Sequence, residues 1–266
     1  KHGVSNLLKH RKSYYTYHYR LGELDDFYAD ALVPSTKYLS TFDICPYFDG
    51  FLLRVPKKTD HTQLEEITQQ RKTYEIYKEH VNWCNLIGIN NISDLNSLPK
   101  EHRSTLIKVS EALHEKKIAK IAEQIAENKN IRIVLIAGPS SSGKTTTSKR
   151  LSVQLAASGI KPRTLSLDNY YLTHDKTPLD EFGELDFESL YALDLPLLNQ
   201  QLGQLIAGET VTPPIFNFKT EQREWGKPMQ LKENEILVIE GIHGLNPELT
   251  ASISDELKFK VYASAL

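Results

Sequence analysis

Residues Gly138-Pro139-Ser140-Ser141-Ser142-Gly143-Lys144-Thr145 place two glycines, a run of serines, a lysine and a threonine side by side. The glycines allow a backbone to wrap close to an anion, so that successive N–H groups and the N-terminus of a following helix all face phosphate oxygens. Lys144 adds a point charge within reach of β- and γ-phosphates, and the Thr145 hydroxyl is placed to hold the magnesium that bridges them. The chemistry is nucleotide phosphate binding. ATP and Mg2+ are the expected cofactors, with Gly138, Pro139, Ser140, Ser141, Ser142, Gly143, Lys144, Thr145 and Thr146 as their contacts.

Two carboxylates stand at the expected ends of later strands. Asp168 closes Arg163-Thr164-Leu165-Ser166-Leu167, and Glu240 closes Ile236-Leu237-Val238-Ile239. In open α/β sheets the carboxyl ends of strands form the ligand crevice. A carboxylate there accepts the proton of an attacking hydroxyl and binds magnesium-bound water, as phosphoryl transfer to an alcohol requires. Asp168 and Lys144 are therefore the expected catalytic pair, and Thr145, Asp168 and Glu240 the expected metal set; the bland alternatives are a turn cap for Asp168 and a surface ion pair for Glu240. A GTPase would carry an Asn-Lys-x-Asp guanine reader. Asn128-Lys129-Asn130-Ile131 lacks the aspartate and precedes the loop, and Asp180-Glu181-Phe182-Gly183 is too short a match to count. A motor ATPase would end its metal strand in Asp-Glu, whereas this one ends Glu240-Gly241.

The elements that must position these residues are legible around them. Ile131 to Ala137 is a mostly apolar run of β-branched character, the mark of a buried parallel strand. Thr146 to Ser158 reads as a helix ended by Gly159, and Phe259-Lys260-Val261-Tyr262 as a fourth strand. Upstream, Ser104 to Asn128 has helical periodicity through Leu106, Val109, Leu113, Ile118, Ile121 and Ile125 and forms a connector. Asp60 with Gln63 suggests a capping box opening a long helix through Leu64, Ile67, Tyr74, Tyr77 and Val81 to Gly88. Leu52 to Pro56 reads as a strand, in a region rich in tyrosine that includes Tyr14, Tyr15, Tyr17 and Tyr19. The expected fold is α/β, a P-loop NTPase-type parallel sheet with flanking helices, preceded by a smaller α+β domain. Its parts are an N-terminal module over 1–100, a connector helix over 101–129 and a P-loop domain over 130–266.

The chain has 266 residues, 40% hydrophobic and 25% charged, as in ordinary folded proteins, and its net charge of -2 gives no field for nucleic acid or an acidic membrane. No stretch approaches the roughly 18 apolar residues of a membrane span, and the start lacks the apolar core of a secretory signal, so a cytoplasmic protein is expected. Cys45 and Cys84 make no disulfide framework; His80 and Cys84 share a helical face, without a second ligand pair, and read as packing. The basic, aromatic segment from Lys9 to Arg20 could touch RNA, though a solvated face with core tyrosines is the better explanation.

Gly138 to Thr145, Leu165-Ser166-Leu167-Asp168-Asn169-Tyr170-Tyr171 and Glu240-Gly241 resemble, in order and spacing, the uridine kinase and phosphoribulokinase family. Asp186-Phe187-Glu188 followed by Ala192-Leu193-Asp194, and Pro214 to Phe218 followed by Arg223, resemble that family's nucleoside-binding segments. The resemblance implies that Asp168 is the base, that Thr145 and Glu240 serve magnesium, that Asp186 grips the acceptor's sugar hydroxyls, and that Tyr171, Phe216, Phe218 and Arg223 line the acceptor pocket. It implies transfer of the ATP γ-phosphate to a hydroxyl of a nucleoside, uridine or cytidine first; a sugar phosphate or polyol as acceptor, or a regulatory ATP-binding module without an acceptor, are the alternatives. The family's fourth strand is followed by a lid helix, and since this chain stops at Leu266 it reads as a fragment. Leu32 to Thr36 and Phe48 to Pro56 resemble part of the threonyl-tRNA synthetase editing region, but its His-x-x-x-His signature is not present, so no editing activity is carried over.

Overall fold

The computed structural model describes Lys9, Tyr15, residues 18–28 and residues 31–264. Tyr14, Tyr17 and most of the segment from Lys9 to Arg20 lie outside the described residues. The chain divides into two compact units, Lys1–Arg103 and Ser104–Leu266.

In the first unit, β1 (Tyr19–Leu21) pairs antiparallel with β2 (Leu24–Asp26), and β3 (Asp43–Tyr47) with β4 (Gly50–Arg54). A cross-strand ion pair, Arg54 to Asp43 at 3.1 Å, closes the open end of the second hairpin. Helix α1 (Arg71–Ile87) ends at Gly88, whose φ of 71° permits the left-handed cap that the sequence predicts. Its start differs from expectation by ten residues, the N-cap being Gln70 and not Asp60. Asp60 caps a tight turn instead of a helix, its Oδ1 accepting from the Thr62 N–H and hydroxyl, and Leu64 makes an isolated antiparallel bridge to Pro56. The strand expected over Leu52 to Pro56 begins earlier and ends at Arg54. A short α2 (Ile92–Ser97) follows with a true capping box, Asn91 with Asp94. Among the described residues of this unit only Ser93 is buried.

Helix α3 (Lys100–Glu127) begins four residues before the expected Ser104, and its second half carries the buried positions Ile118, Ala122 and Ile125. The second unit is built on a four-stranded parallel sheet, in spatial order β12 (Lys258–Tyr262), β5 (Ile133–Ala137), β11 (Glu235–Glu240) and β6 (Lys161–Ser166). Both faces of the central strands are covered, which explains their unbroken apolar sequences. Ile133, Leu135, Leu237 and Ile239 face Leu198, Leu202 and Leu205 of α5 (Leu195–Ile206). Val134, Ile136 and Val238 face Ile118 and Ile125 of α3 and Leu151 and Leu155 of α4 (Lys144–Ala157). Each such side chain, fully withdrawn from water, contributes roughly 1.5–3 kcal/mol before entropy is counted. The result is the α/β sheet with flanking helices that the sequence predicts.

Short strands decorate the carboxyl end of the sheet. β7 (Thr210–Val211) pairs with β10 (Met229–Gln230), and between them β8 (Pro214–Asn217) and β9 (Gln222–Trp225) form a hairpin with Phe216 opposite Arg223.

Candidate functional site

The loop from Gly138 to Gly143 joins β5 to α4, as the sequence requires. Gly138 is obligatory for a packing reason: a Cβ there would lie 1.9 Å from the Ala263 carbonyl oxygen. Gly143, with φ 87°, turns the chain into α4 and provides no side-chain cap, so the helix N-terminus stays open to an anion. Inside the loop the Ser142 hydroxyl is buried with no hydrogen-bond partner. An orphaned donor in a loop of this shape is what a phosphate oxygen would satisfy. Lys144 donates to the Pro139 carbonyl at 2.9 Å, folded over the same loop. Ser140, Ser141, Thr145 and Thr146 stand exposed at its surface and Pro139 with them, while Ser141 holds a φ of 60°.

Asp168 does not close a strand. Strand β6 ends at Ser166, and Asp168 sits in the 3-10 turn Leu167–Tyr170 that follows. The turn forms because Leu167 and Tyr170 are both buried, which leaves Asp168 and Asn169 on the outer side. Although Asp168 stays exposed, partial desolvation raises its carboxyl above the ordinary value and the Glu240 charge raises it further, while Lys144 opposes them. Glu240 accepts from the Ser166 hydroxyl at 2.9 Å through Oε1 and from the Thr145 hydroxyl at 3.3 Å through Oε2. Among the described residues it makes no ion pair. Thr145, Glu240 and Asp168 offer only oxygen donors, which suits a hard divalent cation. Among the described residues no cluster of His, Cys, Asp and Glu cages a metal by itself. That is how Mg2+ is usually held, by one or two carboxylates together with substrate phosphates.

A cleft of about 280 Å³ opens beside these groups, lined by Ser140, Lys144, Asp168, Tyr171, Phe187, Glu188, Phe218 and Ile242. Tyr171 is its aromatic centre, with ring centroids 6.3 Å from Phe187, 6.0 Å from Phe216 and 6.1 Å from Phe218, all edge to face. Its hydroxyl donates to the Phe187 carbonyl at 3.0 Å. Burial, Asp168 and Glu188 together raise the Tyr171 phenol above its usual range. A wider cleft of about 380 Å³ reaches Thr145, Ser166 and Glu240 along the edge strand β6, under the other side of the hairpin.

The cleft therefore gathers Ser140, Lys144, Asp168, Tyr171 and Phe218 from the sequence-predicted set. Phe216 is buried behind Tyr171 as packing, whereas Phe218 is 62% exposed at the wall. Asp186 and Arg223 are not among the lining residues. Oδ1 of Asp186 accepts from the Glu188 and Ser189 N–H groups and caps a turn. Arg223 pairs with Asp194 at 2.8 Å and donates to the Tyr171 carbonyl at 3.0 Å. Asp194 in turn caps α5 through the Leu197 N–H. The sequence placed Phe187 and Glu188 in a nucleoside-binding segment with Asp186 but gave the role to Asp186 alone, whereas it is Phe187 and Glu188 that line the cleft. Sequence reasoning missed Ser166, whose only signal was its place as the residue two before Asp168.

Comparison with known proteins bears on the same region. The family model described as the phosphoribulokinase / uridine kinase family matches residues 133–265, half of the chain. The uridine kinase of Lactobacillus johnsonii is 29% identical over 136 residues, 51% of this chain and 62% of that protein. That of Ligilactobacillus salivarius is 30% identical over 129 residues, 48% of this chain and 59% of that protein. The chain thus spans about three-fifths of the length of these relatives. A possible uridine kinase from Bacillus stearothermophilus, solved as a structure, shares 28% identity over 50% of this chain and 70% of that one, with a TM-score of 0.41. No helix among the described residues is long and apolar enough to cross a membrane.

Proposed function

We propose, for a chain that belongs to the phosphoribulokinase / uridine kinase family, that it transfers the γ-phosphate of ATP to a hydroxyl of a nucleoside, uridine or cytidine first. The observation that carries this reading is the convergence of Lys144 and Asp168 on one cleft walled by Tyr171, Phe187 and Phe218. The acceptor's hydroxyl oxygen forms the new bond to the γ-phosphorus as the bond to the departing ADP oxygen breaks, and its proton passes to Asp168. A carboxylate whose proton affinity is raised by partial desolvation and by Glu240 is a better acceptor for that proton than an ordinary surface aspartate. Lys144 holds charge on the phosphates, and the loop N–H groups hold their oxygens. Thr145, Asp168 and Glu240 would hold Mg2+, which when bound would neutralise phosphate charge.

The same cleft supports a neutral acceptor over a sugar phosphate. Asp168 and Glu188 both line it, and its one cation, Lys144, is committed to the ATP phosphates. A planar base also gains from aromatic edges and faces that a polyol cannot use. In this reading Asp186 and Arg223 act on the acceptor through the turns that they fix. In this reading residues 1–100 are a separate module resembling part of the threonyl-tRNA synthetase editing region; the division of the chain at Arg103 and Ser104 supports its separateness alone, and the helix expected as a connector packs into the core of the second unit.

The test is ATP consumption by the intact parent protein against nucleosides, sugar phosphates and polyols, with Asp168→Asn beside it. Stimulation by a pyrimidine nucleoside that falls roughly 10²–10⁴-fold in the variant is expected, the usual contribution of a positioned base. Stimulation by a sugar phosphate alone would replace the acceptor, and ATP binding without stimulation by any acceptor would favour a regulatory module.

A further inference from the structure

Glu240 and Ser166 are the last residues of neighbouring parallel strands and stand directly opposite in register. The Ser166 hydroxyl occupies the N-cap position of the turn bearing Asp168, where a serine would ordinarily accept from a backbone N–H, yet it makes no such cap bond. It donates instead to Glu240 Oε1 at 2.9 Å. The other oxygen, Oε2, receives the Thr145 hydroxyl at 3.3 Å. We infer that Ser166 is a positioning residue that fixes the Glu240 carboxylate so that Thr145 presents its lone pairs to the nucleotide's magnesium.

A glutamate's terminal torsion is broad, so one hydrogen bond to a flexible partner would leave the carboxylate free to rotate. The shorter of its two bonds, from the rigid strand β6, holds it in place. A hydroxyl that gives its proton to a carboxylate keeps its lone pairs for a cation. Thr145, the second residue of α4, is thereby oriented from the sheet edge, and partners of ligating groups commonly contribute on the order of 10–100-fold in metal affinity.

This inference rests on the reading of Thr145 and Glu240 as the magnesium side of the site. Its test is calorimetric ATP binding to the intact parent protein with and without Mg2+, in wild type, Ser166→Ala and Ser166→Thr, with the melting temperature of each recorded. We expect Ser166→Ala to bind metal-free ATP as wild type does and to lose roughly tenfold or more of the gain in affinity that Mg2+ gives. Ser166→Thr, which keeps the hydroxyl, should recover most of that gain. An undiminished Mg2+ effect in Ser166→Ala would overturn the inference, as would an equal loss of metal-free binding with a lowered melting temperature. A wild type whose ATP affinity ignores Mg2+ would instead overturn the underlying reading of the site, and the inference with it.

Discussion

Asp168 is set against its own ionisation, since partial desolvation and Glu240 both favour its protonated form and only Lys144 opposes them. Its folded-state affinity for a proton exceeds its unfolded one, so its contribution to stability is complete at low pH and is lost as pH rises through the folded value. Asp168→Asn should therefore raise the melting temperature at pH 7, and the advantage should shrink toward zero below about pH 4, where the unfolded carboxyl is also protonated. Thermal scans of both proteins across pH 3–8 check this; an advantage that grows at low pH would contradict the electrostatic account. The same raised proton affinity predicts an acid limb of kcat/KM displaced upward from that of an ordinary aspartate. Gly138 shows a different constraint. A methyl group there meets the Ala263 carbonyl and the Ser142 hydroxyl, at 1.9 Å and 2.6 Å, and backbone cannot swing aside as a long side chain can. Gly138→Ala should abolish ATP binding in a calorimetric titration and lower stability by at least the 1–3 kcal/mol typical of overpacking.

At the scale of elements, the hairpin β8–β9 is held to the turn that carries Asp168 and Tyr171 by several independent bonds. Asn169 Oδ1 accepts from the Phe216 N–H at 3.3 Å, and Arg223 reaches the Tyr171 carbonyl and Asp194. Behind them the buried Tyr170 hydroxyl donates to Gln201, whose amide donates to the Thr212 carbonyl at the root of the hairpin. Arg223→Ala leaves Asp194 without its ion pair and should cost about 1–3 kcal/mol, read by denaturant unfolding. It should also raise the KM for the acceptor several-fold while leaving the KM for ATP near wild type, because the wall moves and the phosphate loop does not. How much of this was legible follows from length and context. The strand before the loop and the helix after it are long, periodic and buried, so the sequence revealed them. Strands β7 to β10 have two to four residues each and no periodicity to detect. The helix expected from Asp60 fails for a related reason: an aspartate three residues before a glutamine caps a turn as readily as a helix, and the Pro56–Leu64 bridge decides between them. Arg223 was legible as important but not as a clamp, since its partners Tyr171 and Asp194 are distant in sequence.

On the scale of the whole chain, stability is unevenly spread. Every fully buried hydrophobic side chain among the described residues lies between Ile118 and Val261. The first unit relies on hairpin pairing and surface contacts such as the Asp49 carboxylate with Tyr74 and Lys78. Hydrogen exchange should therefore find its amides opening at lower free energy than those of β5 and β11. Saturating ATP with Mg2+ should protect the second unit alone, by about 2.7 kcal/mol at a hundredfold excess over Kd. The groups expected to handle phosphate are anchored in the parallel sheet, whereas those expected to recognise the acceptor sit on an appended hairpin and a turn. Descent with change of substrate thus needs no alteration of the engine: exchanging residues 213–226 for the same stretch of a relative should transplant acceptor preference while ATP affinity stays with the host.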